Sequence, residues 1–357
     1  MSVKYEPVIW NTNKYLYDFI LLIVVTLYIY AFLRLGADTQ DLTRPHDNSV
    51  LRMQAFGTCA FFMLTFILCI GPLARIDSRF LPLLYNRRHF GVMTCLVATV
   101  HVSYVLGWYY AFSPTDPYVA VLGSNVDYTQ WIGFPFEIFG IFALLVLLVL
   151  ATTSHDFWLN FLTPPVWKSI HMLIYFAYAS VVLHITLGYL QSNKDPTFAA
   201  LTAASAFTVC VLHLIAGRKE HNKDKQADLH ATDSDWIVVG KLGEIENYKA
   251  LTVTLPQGDR VAVFRYDGKL SAVTNACAHQ NGPLGEGRML DGCITCPWHG
   301  FQYRPADGIA PPPYTEKIAT YHLRLEQDTI YVNKHANTPG TYVRPLAFEE
   351  SAKEVAS

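Results

Sequence analysis

Two short pairs of metal-binding side chains stand near the C-terminal end of the sequence. They are Cys277-Ala-His279 and Cys296-Pro-Trp-His299, which together read C-x-H-x16-C-x-x-H. Two thiolates and two imidazoles suit either a zinc ion or a [2Fe–2S] centre with the Cys pair on one iron and the His pair on the other. A zinc site ordinarily takes a Cys pair followed by a His pair. Here each half carries one of each type, which favours the iron–sulfur centre and so one-electron chemistry. Cys293, three residues before Cys296, reads as a bystander.

The run Cys296-Pro297-Trp298-His299-Gly300-Phe301, with Gly282 and the later Pro311-Pro312-Pro313, resembles the Rieske family. The resemblance makes Cys277, His279, Cys296 and His299 the ligands. In quinol-oxidising members of that family each ligand loop has an extra Cys, and the two form a disulfide. Gly282 and Trp298 occupy the matching positions here, so no such bridge is expected. Phe301 stands where the family has a potential-raising Ser, and Tyr303 where it often has a Tyr donating to a ligand sulfur. Fewer hydrogen bonds to sulfur leave the reduced cluster less stabilised. The resemblance therefore implies a ferredoxin- or oxygenase-type centre at the low end of the range, about −150 mV.

The chain that positions these residues has 357 residues, 52% hydrophobic and 16% charged, against about 25% charged in an average soluble protein. The deficit lies in residues 1–217. A net charge of −2 gives no reason to expect nucleic acid as a partner. Seven Cys without regular spacing outside the cluster pairs argue against a disulfide scaffold. Six stretches are apolar over about the 20 residues a membrane-spanning helix needs, near 15–35, 53–74, 89–113, 134–154, 167–191 and 197–217. Basic residues such as Arg75, Arg79, Arg87, Arg88, Lys168, Arg218 and Lys219 fall in loops on one side. The positive-inside rule makes that side cytoplasmic. The N-terminus and the C-terminal domain are then both cytoplasmic, and the expected location is the cell (inner) membrane, with lipid as a partner.

Ionisable residues inside spans are costly and are candidates for function. His89 and His101 lie in the third expected span, and His171 and His184 in the fifth. Separations of 12 and 13 residues correspond to roughly 18–20 Å along a helix, which fits two bis-His haems at two depths. The motifs Asn86-Arg87-Arg88-His89-Phe90-Gly91, His101, and Trp167-Lys168-x-x-His171 through His184 resemble the ferric-reductase-like transmembrane family. That family includes ferric-chelate reductases, membrane subunits of NADPH oxidases and the haem partner of a bacterial methionine sulfoxide reductase. The resemblance implies a six-helix bundle holding one or two b-type haems between its third and fifth helices, with Arg87 and Arg88 placed for haem propionates. The two His of each span share a face only if the helix bends between them. His213, in the sixth span, has no counterpart at matching depth.

The expected architecture is a membrane all-α six-helix bundle (residues 1–217), a polar linker (218–235), an all-β Rieske domain (236–335) and a polar tail (336–357). Expected strands are 236–240, 250–255, 260–266, 270–276, 318–325 and 329–332, and no internal repeat is evident. There is no Gly-rich dinucleotide fingerprint. Too few residues follow the last strand to build the two-His, one-carboxylate iron domain of an oxygenase. These features point to a membrane oxidoreductase joining a cytoplasmic [2Fe–2S] centre to b-type haem. Its expected partners are a soluble cytoplasmic donor or acceptor and a ferric chelate, quinone, oxygen or membrane protein. A carrier subunit of a larger complex, or a haem-free anchor for a Rieske ferredoxin feeding an oxygenase, are the alternatives.

Overall fold

The computed structural model describes residues 12–37, 45–80, 83, 87–155, 158, 161–162, 164–192, 196–229, 235–256, 258–279, 282–297, 300–312 and 314–348. The chain divides into two compact units at Ala216/Gly217.

The first unit is helical. Its elements are α1 (Thr12–Ala37), α2 (Pro45–Ile76), α3 (Arg87–Phe112), α4 (Pro117–Gly123), α5 (Glu137–Thr152), α6 (Pro164–His171), α7 (Ile174–Leu187), α8 (Tyr189–Ser192) and α9 (Pro196–Leu229). Five helical stretches are long and apolar enough to cross a membrane: Tyr15–Gly36, Asp47–Ile76, Arg87–Phe112, Val166–Gln191 and Pro196–Asn222. The expected fourth span is shorter, because α5 has only 16 residues. At about 1.5 Å per residue it is about 24 Å long, against a hydrocarbon core of about 30 Å. It ends where the Thr153 hydroxyl turns back to donate to the Val149 carbonyl at 2.7 Å, a local bond that competes with helix continuation.

The helices are apolar around most of their circumference, the pattern of segments surrounded by lipid and by other helices. In α1, Leu16, Phe19, Ile20, Leu22 and Val24 face outward, and exposed apolar surface of this extent fits hydrocarbon rather than water. The fifth expected span is interrupted at Met172–Leu173, where Leu173 N–H donates to Ile170 O in a tighter turn. That break falls between His171 and His184. The helix α9 also runs past the expected boundary at 217 and continues to Leu229. The helical part of the stretch read as a linker holds three Lys together with Arg218, Glu220, Gln226, Ala227 and Leu229, which are good helix formers.

The helical unit contains a repeat that the sequence did not betray. α2 packs chiefly on α3, and α5 chiefly on α7. Leu64 and Leu147, Leu68 and Ala151, Cys95 and Tyr178, and Ala98 and Val181 are pairs at one constant offset, and all belong to a single core cluster. The α2–α3 and α5–α7 hairpins are two copies of one unit sharing that core.

The second unit is all β. β1 (Trp236–Lys241), β10 (Thr329–Asn333) and β9 (Leu323–Glu326) form one antiparallel sheet in the order β1-β10-β9. β11 (Leu346–Ala347), β4 (Lys269–Thr274), β3 (Arg260–Tyr266) and β2 (Ala250–Thr254) form a second in that order, with β8 (Thr320–Tyr321) on β4. β5 (Arg288–Leu290), β6 (Cys293–Thr295) and β7 (Gln302–Tyr303) form a third. Strand β3 is buried on both faces. Its side-chain alternation sends Val261 and Val263 into one core and Ala262, Phe264 and Tyr266 into another, shared with Cys277 and Cys296. The expected strand 318–325 is split at His322, and the short strands β5–β7 were not anticipated. The first part of the expected loose tail is docked: Val343 N–H donates to Ala306 O, and Leu346 pairs with Leu270.

Candidate redox centres

Two loops of similar construction carry the C-terminal ligand pairs. In the first, between β4 and β5, Cys277 N–H donates to Gly282 O at 2.9 Å. In the second, between β6 and β7, Cys296 N–H donates to Phe301 O at 2.8 Å and Gly300 N–H returns to Cys296 O at 3.0 Å. Gly300 has φ 71°, left-handed backbone that suits glycine. Cys277 and Cys296 are almost fully buried in the same core cluster. His279 is half-buried as a residue, with its Nδ1 buried, and its ring stacks on Phe301 with centroids 5.0 Å apart and planes at 7°. His299 and Trp298 lie outside the described residues.

Tyr303 forms the wall behind the first loop. It is fully buried, and its Oη lies 3.3 Å from Cys277 Sγ. Burial, and secondarily the neighbouring Cys277, hold the phenol well above its ordinary value. It therefore remains protonated and able to donate to a ligand thiolate. Three thiolate and imidazole donors on two rigid loops, with a hydroxyl aimed at one sulfur, fit a [2Fe–2S] centre. Cys293 is half-buried at the start of β6, and burial raises its thiol above the ordinary value.

In the helical unit, His101 on α3 and His184 on α7 come together, with ring centroids 6.5 Å apart and planes at 82°. The His101 Nδ1–H donates to the Met53 carbonyl at 2.9 Å. The His184 Nδ1–H donates to the Phe136 carbonyl at 3.0 Å. Each Nε2 is thereby left as the basic nitrogen, the tautomer that ligates a metal. A metal–imidazole bond of about 2 Å on each side, plus ring centre to nitrogen twice, requires centroids about 6.3 Å apart. The observed spacing fits one iron between the two rings.

The other candidates are distributed differently. His171 donates Nδ1–H to Trp167 O at 3.0 Å, its ring stacks on Trp167 at 3.7 Å, and its Nε2 is buried with no hydrogen-bond partner among the described residues. The Arg88 guanidinium lies over the Trp167 ring at 5.7 Å, and Arg87 approaches Gly71 on α2. His89 is held through Nδ1 by the Asp18 carboxylate of α1 at 2.8 Å. No described contact joins His89 to His171. Sequence reading missed the partners: Asp18 for His89, the Met53 and Phe136 carbonyls, and Tyr175, whose hydroxyl donates to His213 Nε2 at 3.0 Å while His213 Nδ1–H donates to Val209 O.

The comparisons with known proteins follow the same division. The family described as the Rieske [2Fe-2S] domain matches residues 235–322. The family described as the ferric reductase like transmembrane component matches residues 56–182, a region holding His89, His101 and His171 that stops just short of His184. The anthranilate 1,2-dioxygenase ferredoxin subunit of Burkholderia cepacia is 31% identical over 105 residues, 29% of this chain and 95% of that protein. Human apoptosis-inducing factor 3 is 27% identical over 90 residues, 25% of this chain and only 15% of that protein. A solved complex of reduced oxygenase and oxidised ferredoxin in carbazole 1,9a-dioxygenase matches with 21% identity and a TM-score of 0.28, covering 30% of this chain and 99% of that one. This multi-pass membrane protein, with its ferric reductase-like helical domain, belongs to the Rieske [2Fe–2S] family through its C-terminal β domain.

Proposed function

We propose that this chain is a transmembrane electron-transfer oxidoreductase. In this reading Cys277, His279, Cys296 and His299 hold a [2Fe–2S] cluster, and His101 and His184 hold a b-type haem within the spans. When bound, the two groups supply one-electron chemistry at two places on one chain. The observation that carries the reading is the His101–His184 pair, with both Nδ1 atoms committed to carbonyls and the rings 6.5 Å apart.

The chain's own residues would hold and tune these groups. The carbonyls of Met53 and Phe136 fix the imidazole tautomers, and the apolar bundle excludes water. Tyr303 donates to Cys277 Sγ, while Phe301 covers one face of His279 and leaves it partly exposed. His171 and His89 form a second candidate pair. Each has Nδ1 engaged, by the Trp167 carbonyl and the Asp18 carboxylate respectively, an arrangement that frees Nε2 for iron. Arg87 and Arg88 would neutralise propionates beside them. In this reading the protein lies in the inner membrane with the N-terminus and the Rieske domain in the cytoplasm, an orientation that the basic-residue bias of the loops supports. A soluble cytoplasmic protein would exchange electrons at the His279 edge. A ferric chelate, quinone, oxygen or protein partner would serve at the outer face.

The ferredoxin-subunit relative favours a second reading, in which the chain is a carrier subunit serving another protein. The test is the absorbance spectrum of purified protein and of His101→Ala and His184→Ala. Loss of low-spin haem in both variants, with the cluster signal retained, is expected. A fully retained haem spectrum in either overturns the assignment. Turnover with small acceptors by the isolated chain separates an oxidoreductase from a carrier.

A further inference from the structure

The two histidines are held by the same device, used twice. His101 donates to the carbonyl of Met53, and one helical turn further along α2 is Gly57. His184 donates to the carbonyl of Phe136, and one turn further along α5 is Gly140. The acceptor and the histidine are 48 residues apart in both cases. A Cβ added at Gly57 would lie 3.0 Å from both Cε1 and Nδ1 of His101, and one at Gly140 would lie 2.9 Å from the same two atoms of His184. Each imidazole therefore rests its Cε1–Nδ1 edge directly on a helix backbone. Any larger side chain there would force the ring to yield, by a few tenths of an ångström at Gly57 and by more at Gly140.

Helix interiors disfavour glycine, so its presence at both places asks for a cause. General close packing between spans is one possible cause. Close packing does account for Gly36, against Leu51, and Gly188, against Phe136, but Gly107 on α3 has open space beside it and Gly91 would meet only Ile67 at an ordinary 3.4 Å. Among the described residues, close approach to an imidazole is seen at Gly57 and Gly140. These two are equivalent positions of the repeated hairpins, at the offset that also relates Leu64 to Leu147 and Cys95 to Tyr178 within the shared core. Occurrence at both symmetry-related positions is what a device that serves the histidines predicts.

We propose that Gly57 and Gly140 are positioning residues that, with the Met53 and Phe136 carbonyls, clamp the two imidazoles and set their ring planes at the observed 82°. The proposal rests on the haem reading above and extends it to residues that touch no iron. A methyl group at either position lifts the ring edge from the backbone. The Nδ1–H···O bond lengthens, the ring rotates about its Cβ–Cγ bond, and Nε2 moves with it. A weaker Nδ1 hydrogen bond makes the imidazole a poorer donor to ferric iron, so the midpoint potential rises. Nearly perpendicular imidazoles give a highly anisotropic low-spin ferric signal, and that anisotropy reports the angle between the rings.

The experiment is electron paramagnetic resonance and a potentiometric haem titration on the full chain, as wild type, Gly57→Ala, Gly140→Ala and the control Gly107→Ala. Expected are a strongly anisotropic wild-type signal, shifted g-values and raised midpoints in the first two variants, and a control that superimposes on wild type. Loss of the low-spin signal in either of those variants, with the control intact, supports the clamp equally. Should Gly140→Ala fail to accumulate, Gly57→Ala carries the test, since its neighbour needs to yield by only a few tenths of an ångström. Haem retained with unmoved g-values and midpoint in Gly57→Ala and Gly140→Ala overturns the clamp alone. A wild type without haem overturns the haem reading and the clamp with it.

Discussion

Replacing Tyr303 by Phe removes one hydroxyl from the wall of the cluster loops and leaves its ring in place. The ring is fully buried and packs against Phe301 with centroids 5.3 Å apart, so no large cavity opens. The lost oxygen is the one 3.3 Å from Cys277 Sγ. Reduction adds negative charge to the site. A hydrogen bond to a charged acceptor is worth about 1.5–3 kcal/mol, against about 0.5–1.5 kcal/mol for a neutral one. The hydroxyl therefore favours the reduced form by about 1–1.5 kcal/mol, which for a one-electron couple is about 40–65 mV. Tyr303→Phe should lower the cluster potential by that amount. The assay is a potentiometric titration of the [2Fe–2S] signal on protein with full cluster iron. An unchanged or raised potential with the cluster intact refutes the assignment of Tyr303 as a donor to Cys277 Sγ.

Three further outcomes are expected. Phe264→Ala empties a fully buried position in the core shared with Cys277 and Cys296, and should cost about 3–5 kcal/mol of β-domain stability. Chemical denaturation measures it, and a loss under 1 kcal/mol would show that this core is not the support of the loops. Burial raises the Tyr266 phenol above its ordinary value of about 10. A group with a raised folded-state value stabilises fully below its unfolded value and loses that contribution as pH climbs through the folded value. Thermal midpoints should therefore fall above pH 10, and less steeply in Tyr266→Phe; identical slopes would contradict the argument. Asp18→Asn removes the carboxylate that holds His89. It should leave the His101–His184 signal unchanged while altering any second haem, as read in the low-spin spectrum. A change confined to the His101–His184 signal would sink the separation of the two sites.

The candidate cluster ligands could be picked out because their chemistry is written in residue types at fixed spacing, and loop closure around Cys277 and Cys296 adds only backbone bonds to that pattern. The membrane histidines were legible by depth, since His101 and His184 are costly residues in apolar stretches. Their holders were not. Every residue has a carbonyl, so nothing marks Met53 or Phe136 as an acceptor, and Gly57 and Gly140 look like other span glycines. The repeat was hidden because its equivalent positions carry different apolar side chains, such as Cys95 and Tyr178, which fill the core by volume rather than by identity. Strands β5–β7 are two or three residues long, too short for alternation to register. The helical run to Leu229 was obscured because its polarity resembles that of a linker, while its propensities favour helix.

The most direct test of the central claim is a reduced-minus-oxidised spectrum with haem and iron quantitation on the purified, detergent-solubilised chain. The account predicts b-type haem bands at one or two haems per chain, together with the two further irons of a [2Fe–2S] centre. A preparation with full cluster iron and no haem would contradict it and reduce the helical unit to an anchor.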